Sequence, residues 1–125
     1  MNQANFQTVG TYQPDTLLAG DFPRVERKLT IASGAGVLPR GSVVALDANG
    51  KAVLVDSASV EPSEQAPVAV LAHEVNATSA DAQGIVYYTG EFNEDALTFG
   101  GSDTIADHRG ALRALSIFTD TIIGA

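Results

Sequence analysis

Cysteine and tryptophan are absent from this 125-residue chain, and bases are few: 7 Lys and Arg stand against 15 Asp and Glu, for a net charge of −8. Without cysteine there is no disulfide and no thiolate metal site, which fits synthesis in a reducing cytoplasm. A surface this acidic repels nucleic acid, whose binding needs a basic footprint. It also opposes adsorption to anionic membranes. No apolar run approaches the ~20 residues of a membrane span. The start MNQANFQTVG has neither the basic nor the apolar part of a signal peptide. The chain therefore reads as a soluble, unexported protein with no nucleic-acid or membrane partner. Aromatics make up only 6% of residues, so Ala, Val, Leu and Ile must fill the core. A core of such small pieces gains from oligomerisation. The length predicts a single domain.

What is present is ordered along the chain. Residues 2–13, NQANFQTVGTYQ, are polar and uncharged, with no amphipathic period. Pro14 and Pro23, with Gly20-Asp21 between them, bracket a turn-rich stretch. This divides the chain into an arm, 1–14, and a body, 15–125. The scarce bases cluster once, as Arg24, Arg27 and Lys28, either a solvated strand end or a small contact for an acidic partner.

The body reads as short strands. RKLTIA at 27–32 is followed by Ser33-Gly34-Ala35-Gly36. Ser42–Leu46 and Lys51–Val55 flank Asp47-Ala48-Asn49-Gly50, and Asn-Gly favours the positive φ of a hairpin. A loop, 57–66, contains Pro62. Pro67–Ala72 is apolar without alternation, which predicts a strand buried on both faces. Gly84–Phe92 predicts another, bent or bulged at Gly90. Ile105, Ala106, His108, Leu112 and Leu115 recur at helical spacing behind Ser102 or Asp103 as a cap. Gly110 within that helix suggests close packing. Leu115–Ile123 is β-branched and predicts a closing strand. The fold class is mainly β (β-rich α+β), a small barrel or sandwich with one short helix.

Chemical motifs are incomplete. Gly34-x-Gly36 lacks the Gly-Lys-Ser/Thr of a phosphate loop. Asp47-x-Asn49-Gly50 has its glycine too early for a calcium loop and no closing glutamate. His73-Glu74 and His108 offer no His-x-x-x-His or Glu-x-x-His pair, so any metal or acid–base site must be assembled by the fold. Surface or interface histidines are the simpler expectation. Ser42 and Ser116 lack a nucleophile elbow. Glu91, Glu94 and Asp95 around Phe92 read either as paired carboxylates or as a solvated strand end anchored by the ring. Asn76-Ala77-Thr78 is a glycosylation sequon in a chain with no sign of secretion, and Thr78-x-x-Asp81 suits a capped turn.

Three segments in order carry a resemblance. LLAGDFPRVERKLTIASGAGVLPRGSVV at 17–44, APVAVLAHEVNATSADAQGIVYYTGEFNEDALTFG at 66–100 and DHRGALRALSIF at 107–118 resemble the lambda-type head decoration proteins of tailed phages. The resemblance implies a β-rich homotrimer with no enzymatic activity and no cofactor. It implies a position on the outer surface of the expanded head, at three-fold and quasi-three-fold sites. There the trimers clamp neighbouring major capsid protein subunits against internal DNA pressure, after synthesis in the host cytoplasm. The arm has a matching character. Its residues 2–13 would span about 40 Å at ~3.3 Å each, and as a strand Ala4, Phe6, Thr8, Gly10 and Tyr12 would share a face. Ala4, Phe6, Thr8, Val9 and Tyr12 are the candidate capsid-binding residues, with Arg24, Arg27 and Lys28 as a secondary contact. Two other readings remain open. One is a small acidic hydrolase or metal-binding enzyme using His73, Glu74 and the carboxylates near Phe92. The other is a virion-displayed adhesin or binding module.

Overall fold

The computed structural model describes residues 16–121. The arm at 1–14, with Ala4, Phe6, Thr8, Val9 and Tyr12, lies outside the described residues. Among the described residues, nine strands and one helix follow in order: β1 Glu26–Ile31, β2 Gly36–Leu38, β3 Val43–Leu46, β4 Ala52–Leu54, β5 Ala69–Leu71, β6 Val75–Ala77, β7 Ala82–Tyr87, β8 Gly90–Asn93, α1 Ile105–Ala114 and β9 Ile117–Asp120.

Five strands close into a barrel in the order β1-β4-β3-β5-β7, with β7 returning to β1. Four of the contacts are antiparallel; β1 meets β4 in parallel through a single rung, Ile31 to Ala52. Between barrel and sandwich, both open in the sequence, the barrel is what forms. Two further pairs sit outside it, β2 antiparallel with β6 and β8 parallel with β9.

Period-two alternation divides the core. Ile31, Val44, Ala52, Ala69, Leu71 and Val86 come from all five barrel strands and form one buried cluster with Leu38, Val75 and Ala77. That cluster fills the barrel. Five strands leave a narrow interior, and small residues suit it: a Cβ on buried Gly84 would stand 3.1 Å from Leu71 and 3.3 Å from Ile31. The alternate residues Val43, Ala45, Val70 and Tyr87 face outward into a second cluster with Leu17, Phe92, Leu112 and Ile117. Hence β8, β9 and α1 cover one side of the barrel. Strand β5 contributes to both clusters and is fully buried, as its unbroken apolar run predicted. Each such aliphatic burial contributes about 1.5–3 kcal/mol.

The β3–β4 hairpin forms where Asn-Gly placed it. Asp47 Oδ1 accepts from the backbone N–H of Asn49 at 2.8 Å and of Lys51 at 2.9 Å, and Gly50 takes φ 79°. The loop at 57–66 carries one 3-10 turn, Pro62–Gln65.

Other expectations are corrected. The run 84–92 is two strands, because the chain leaves the barrel after Tyr87 and re-forms as β8 against β9. Gly90 stands at that break with φ 148°. The closing strand is only Ile117–Asp120 among the described residues, and Ser116, at φ 66°, turns the chain into it. Thr104, not Ser102 or Asp103, caps α1. Its backbone N–H donates to Asp107 Oδ2 at 2.8 Å, the return half of a capping box. Gly110 is exposed and a Cβ there would meet nothing within 4 Å, so packing within the described chain does not account for it. The β2–β6 pair was not foreseen, since its two three-residue strands carry too little alternation to register.

Candidate functional site

Residues 16–19 lie against β8 as an added strand. Leu18 pairs antiparallel with Phe92. The Asn93 N–H donates to the Leu17 carbonyl at 2.7 Å, and the Ala19 N–H to the Glu91 carbonyl at 3.0 Å. The buried Asn93 side chain donates through Nδ2 to the Thr16 carbonyl at 2.9 Å and accepts from the Asp95 N–H at 3.1 Å. Leu17 is buried in the outer core. Strand β8 thus has this segment on one side and β9 on the other. The chain immediately after the N-terminal segment is held by backbone bonds, a buried amide and a buried leucine together.

The next residues stay on the same elements. Phe22 N–H donates to Glu91 Oε1 at 3.0 Å, and its ring meets Phe118 edge-on at 5.0 Å. Thr89 Oγ1 accepts from the Val25 N–H at 3.0 Å and donates to the Pro23 carbonyl at 2.7 Å.

Arg24, Arg27 and Lys28 are all exposed, but they do not share one face. Arg24 lies over the Tyr87 ring at 6.0 Å from its centroid. Arg27 and Lys28 are consecutive in β1 and so point to opposite sides. Lys28 shares its side with Glu26 and Thr30; Arg27 continues the line of Leu29 and Ile31, which faces the barrel interior.

Of the residues singled out for catalysis, His73, Glu91 and Glu94 are dispersed over separate partners. His73 is exposed, and its two ring nitrogens meet the Glu74 carbonyl and the Ile85 N–H, each at 3.0 Å. Glu91 serves Phe22. Glu94 pairs with Arg109 at 2.9 Å, and that guanidinium holds its carboxyl below the usual range. Among the described residues no group of three or more His, Asp or Glu side chains is arranged to hold a metal.

His108 is a correction to the surface expectation: only 3% of its side chain is exposed. Nε2 lies 2.7 Å from Asp103 Oδ2, and Phe99 stacks on the ring at 5.5 Å. Asp103 also accepts from the Ser57 hydroxyl at 2.6 Å and the Ser57 N–H at 2.7 Å. The residue types are those of a hydrolytic triad, but the order is wrong. Serine and histidine both bind the carboxylate rather than each other, so histidine cannot take the serine proton. The cluster ties the loop after β4 to the start of α1. Sequence reasoning missed it because Ser57 lies 46 positions from Asp103.

The cluster carries a pH prediction. The Ser57 hydroxyl, opposed by burial and aided by His108, holds the Asp103 carboxyl below its usual range. A depressed carboxylate stabilises the fold above its unfolded value, about pH 4, and loses that contribution as pH falls through the lowered one. Wild type should exceed Asp103→Asn in Tm at pH 7, and the gap should narrow below about pH 4. A gap constant to pH 2 contradicts the assignment.

The geometry is that of a β structure with an anchored N-terminal root and no assembled reaction centre among the described residues. No curated protein matches the chain. The family model for bacteriophage lambda head decoration protein D matches residues 7–118. That span takes in Thr8, Val9 and Tyr12 but not Ala4 or Phe6, and it ends where the last resembling segment ends, at Phe118. With nearly the whole described body inside the match, the chain belongs to the bacteriophage lambda head decoration protein D family, structural proteins of the phage capsid.

Proposed function

We propose that this protein is a cementing protein that binds as homotrimers to the outside of the expanded phage head. Its sites are the three-fold and quasi-three-fold positions, its partner there is the major capsid protein, and its effect is to stabilise the shell against internal DNA pressure. Residues 1–14 are the capsid-binding arm and 15–125 the decoration domain. Ala4, Phe6, Thr8, Val9 and Tyr12 make the contact, and Arg24, Arg27 and Lys28, exposed but turned to different faces, add separate secondary contacts rather than one patch. The protein is made in the host cytoplasm before it coats the shell.

The observation that carries this reading is the root at 16–19. It joins the arm to the outer core through Leu17 and to β8 through Asn93, so force on the arm is passed to the body. Magnitudes favour a multivalent mode. Ordering an arm costs about 1–2 kcal/mol per residue, whereas a backbone hydrogen bond returns a net ~0.5–1.5 kcal/mol. Burial of Phe6, Val9 and Tyr12 adds about 1.5–3 kcal/mol each. One arm is then weak, and three on a trimer gain on the order of 10²–10⁴ in avidity. The net charge of −8 suits an exterior position away from packaged DNA. No observation favours the hydrolase reading: His73, Glu91 and Glu94 each bind a different partner.

The test is deletion of residues 1–13. The shortened chain should unfold at the wild-type temperature and sediment as a trimer, yet fail to coat expanded shells. Full occupancy of shells by that variant overturns the arm mechanism.

A further inference from the structure

We propose that the end of the β5–β7 ladder is an acid-sensitive latch closed by the neutral form of His73. In antiparallel pairing, Ala72 and Ile85 should exchange two backbone hydrogen bonds, continuing the register of Leu71 with Val86. Only one forms: the Ala72 N–H donates to the Ile85 carbonyl at 2.8 Å. Side chains complete the other half. Arg40 Nη1 donates to the Ala72 carbonyl, and His73 Nε2 accepts the Ile85 N–H at 3.0 Å.

The second ring nitrogen selects the tautomer. His73 Nδ1 lies 3.0 Å from the Glu74 carbonyl, an acceptor, so Nδ1 carries the hydrogen and Nε2 keeps its lone pair. One tautomer satisfies both contacts. Protonation places an N–H on Nε2 directly against the Ile85 N–H, and the rung opens. Arg40, from the segment between β2 and β3, brings a second positive charge to the same rung. Among the described residues, charged groups also stand on Glu74, next in sequence, and on Lys28 of β1, the Cα partner of Ile85 on its far side. Lys28 and Ile85 belong to the non-hydrogen-bonded set, since the Tyr88 N–H to Val25 carbonyl bond fixes the alternate pairs. Ile85 therefore has no substitute acceptor on β1. The ring is exposed, so protons reach it without unfolding. The rung leads into β6, whose Val75 and Ala77 help close the barrel interior.

The latch is independent of capsid binding and is tested on the free, full-length protein. Long-range proton–nitrogen NMR of the His73 ring should show the Nδ1–H tautomer at pH 8. As the ring protonates, the protection factor of the Ile85 amide should fall about two- to tenfold, the equilibrium factor for one net hydrogen bond. The Ala72 amide, which donates to the Ile85 carbonyl, should change less. His73→Gln keeps an acceptor that does not titrate, and it should abolish the step while leaving the fold intact. An Nε2–H tautomer at pH 8, unchanged Ile85 protection through the ring titration, or an equal step in His73→Gln overturns the proposal.

Discussion

Replacing Phe92 by alanine should destabilise the protein by about 3–5 kcal/mol, the range for emptying a fully buried aromatic site. Among the described residues Phe92 is the largest side chain with no exposed surface. It packs among Leu17, Val43, Val70, Leu112 and Ile117 in the outer core, with its ring 5.6 Å from that of Tyr87. Its backbone is equally committed, paired with Leu18 on one side and Thr119 on the other. The site therefore joins the barrel wall, the N-terminal root and the last strand, and collapse around a smaller side chain would have to move all three. For a domain of this size the loss corresponds to a fall in Tm on the order of 10–20 °C. Phe92→Leu, which keeps most of the volume, should cost less than about 1.5–2 kcal/mol. Urea unfolding of both variants checks the claim. A Phe92→Ala loss below 1 kcal/mol would mean that the ring is not the pin.

Gly41→Ala is the second large effect, for two separable reasons. The residue has φ 92°, where a side chain strains the backbone, and a Cβ would stand 2.3 Å from the Ala96 carbonyl oxygen and 3.2 Å from Leu17 Cδ1. Backbone cannot yield as a flexible side chain can, because Gly41 is bonded on both flanks. Its N–H donates to the Leu71 carbonyl at 2.9 Å, and its carbonyl accepts from the Thr98 N–H at 3.0 Å. Strain contributes about 1–3 kcal/mol and overpacking about 1–3 kcal/mol. Gly34 separates the two, since it also has positive φ, 91°, but open space around a Cβ. Gly34→Ala should show the strain alone, about 1–2 kcal/mol. Equal losses in the two variants, read by chemical denaturation, would show that the close approach to Ala96 carries no weight.

Legibility of the fold followed the range of the signal. The β3–β4 hairpin was readable because its chemistry is local: Asp47 bonds Asn49 and Lys51 within four positions. The double burial of β5 was readable because an unbroken apolar run has no solvent face. The bend at Gly90 was readable, but the split of the run into two strands was not, because what pulls β8 away is β9, more than twenty positions further on. Asp103 read as a helix cap because carboxylates there usually are. The fold instead gives it Ser57 and His108 as partners and leaves the cap to Thr104. His73 read as a surface histidine, which it is, and only the register of β5 with β7 shows its ring to be a rung of the ladder. The bases at 24–28 are adjacent in sequence, yet strand alternation turns Arg27 and Lys28 apart.

By itself, then, the sequence determined the family, the strand-rich class, the helix after Asp103 and the hairpin turn. Each of these is written in segment order, in apolar periodicity or in residues with special φ, all of which survive without knowledge of distant contacts. Tertiary structure alone decided that five strands close into a barrel and that alternate residues build two cores on its two faces. It also decided that the chain after the N-terminal segment is rooted on β8 through Asn93. The reason is physical: a strand's pattern states which faces must be buried, but not against what. Polar side chains bind whichever donors and acceptors the closed fold brings within reach.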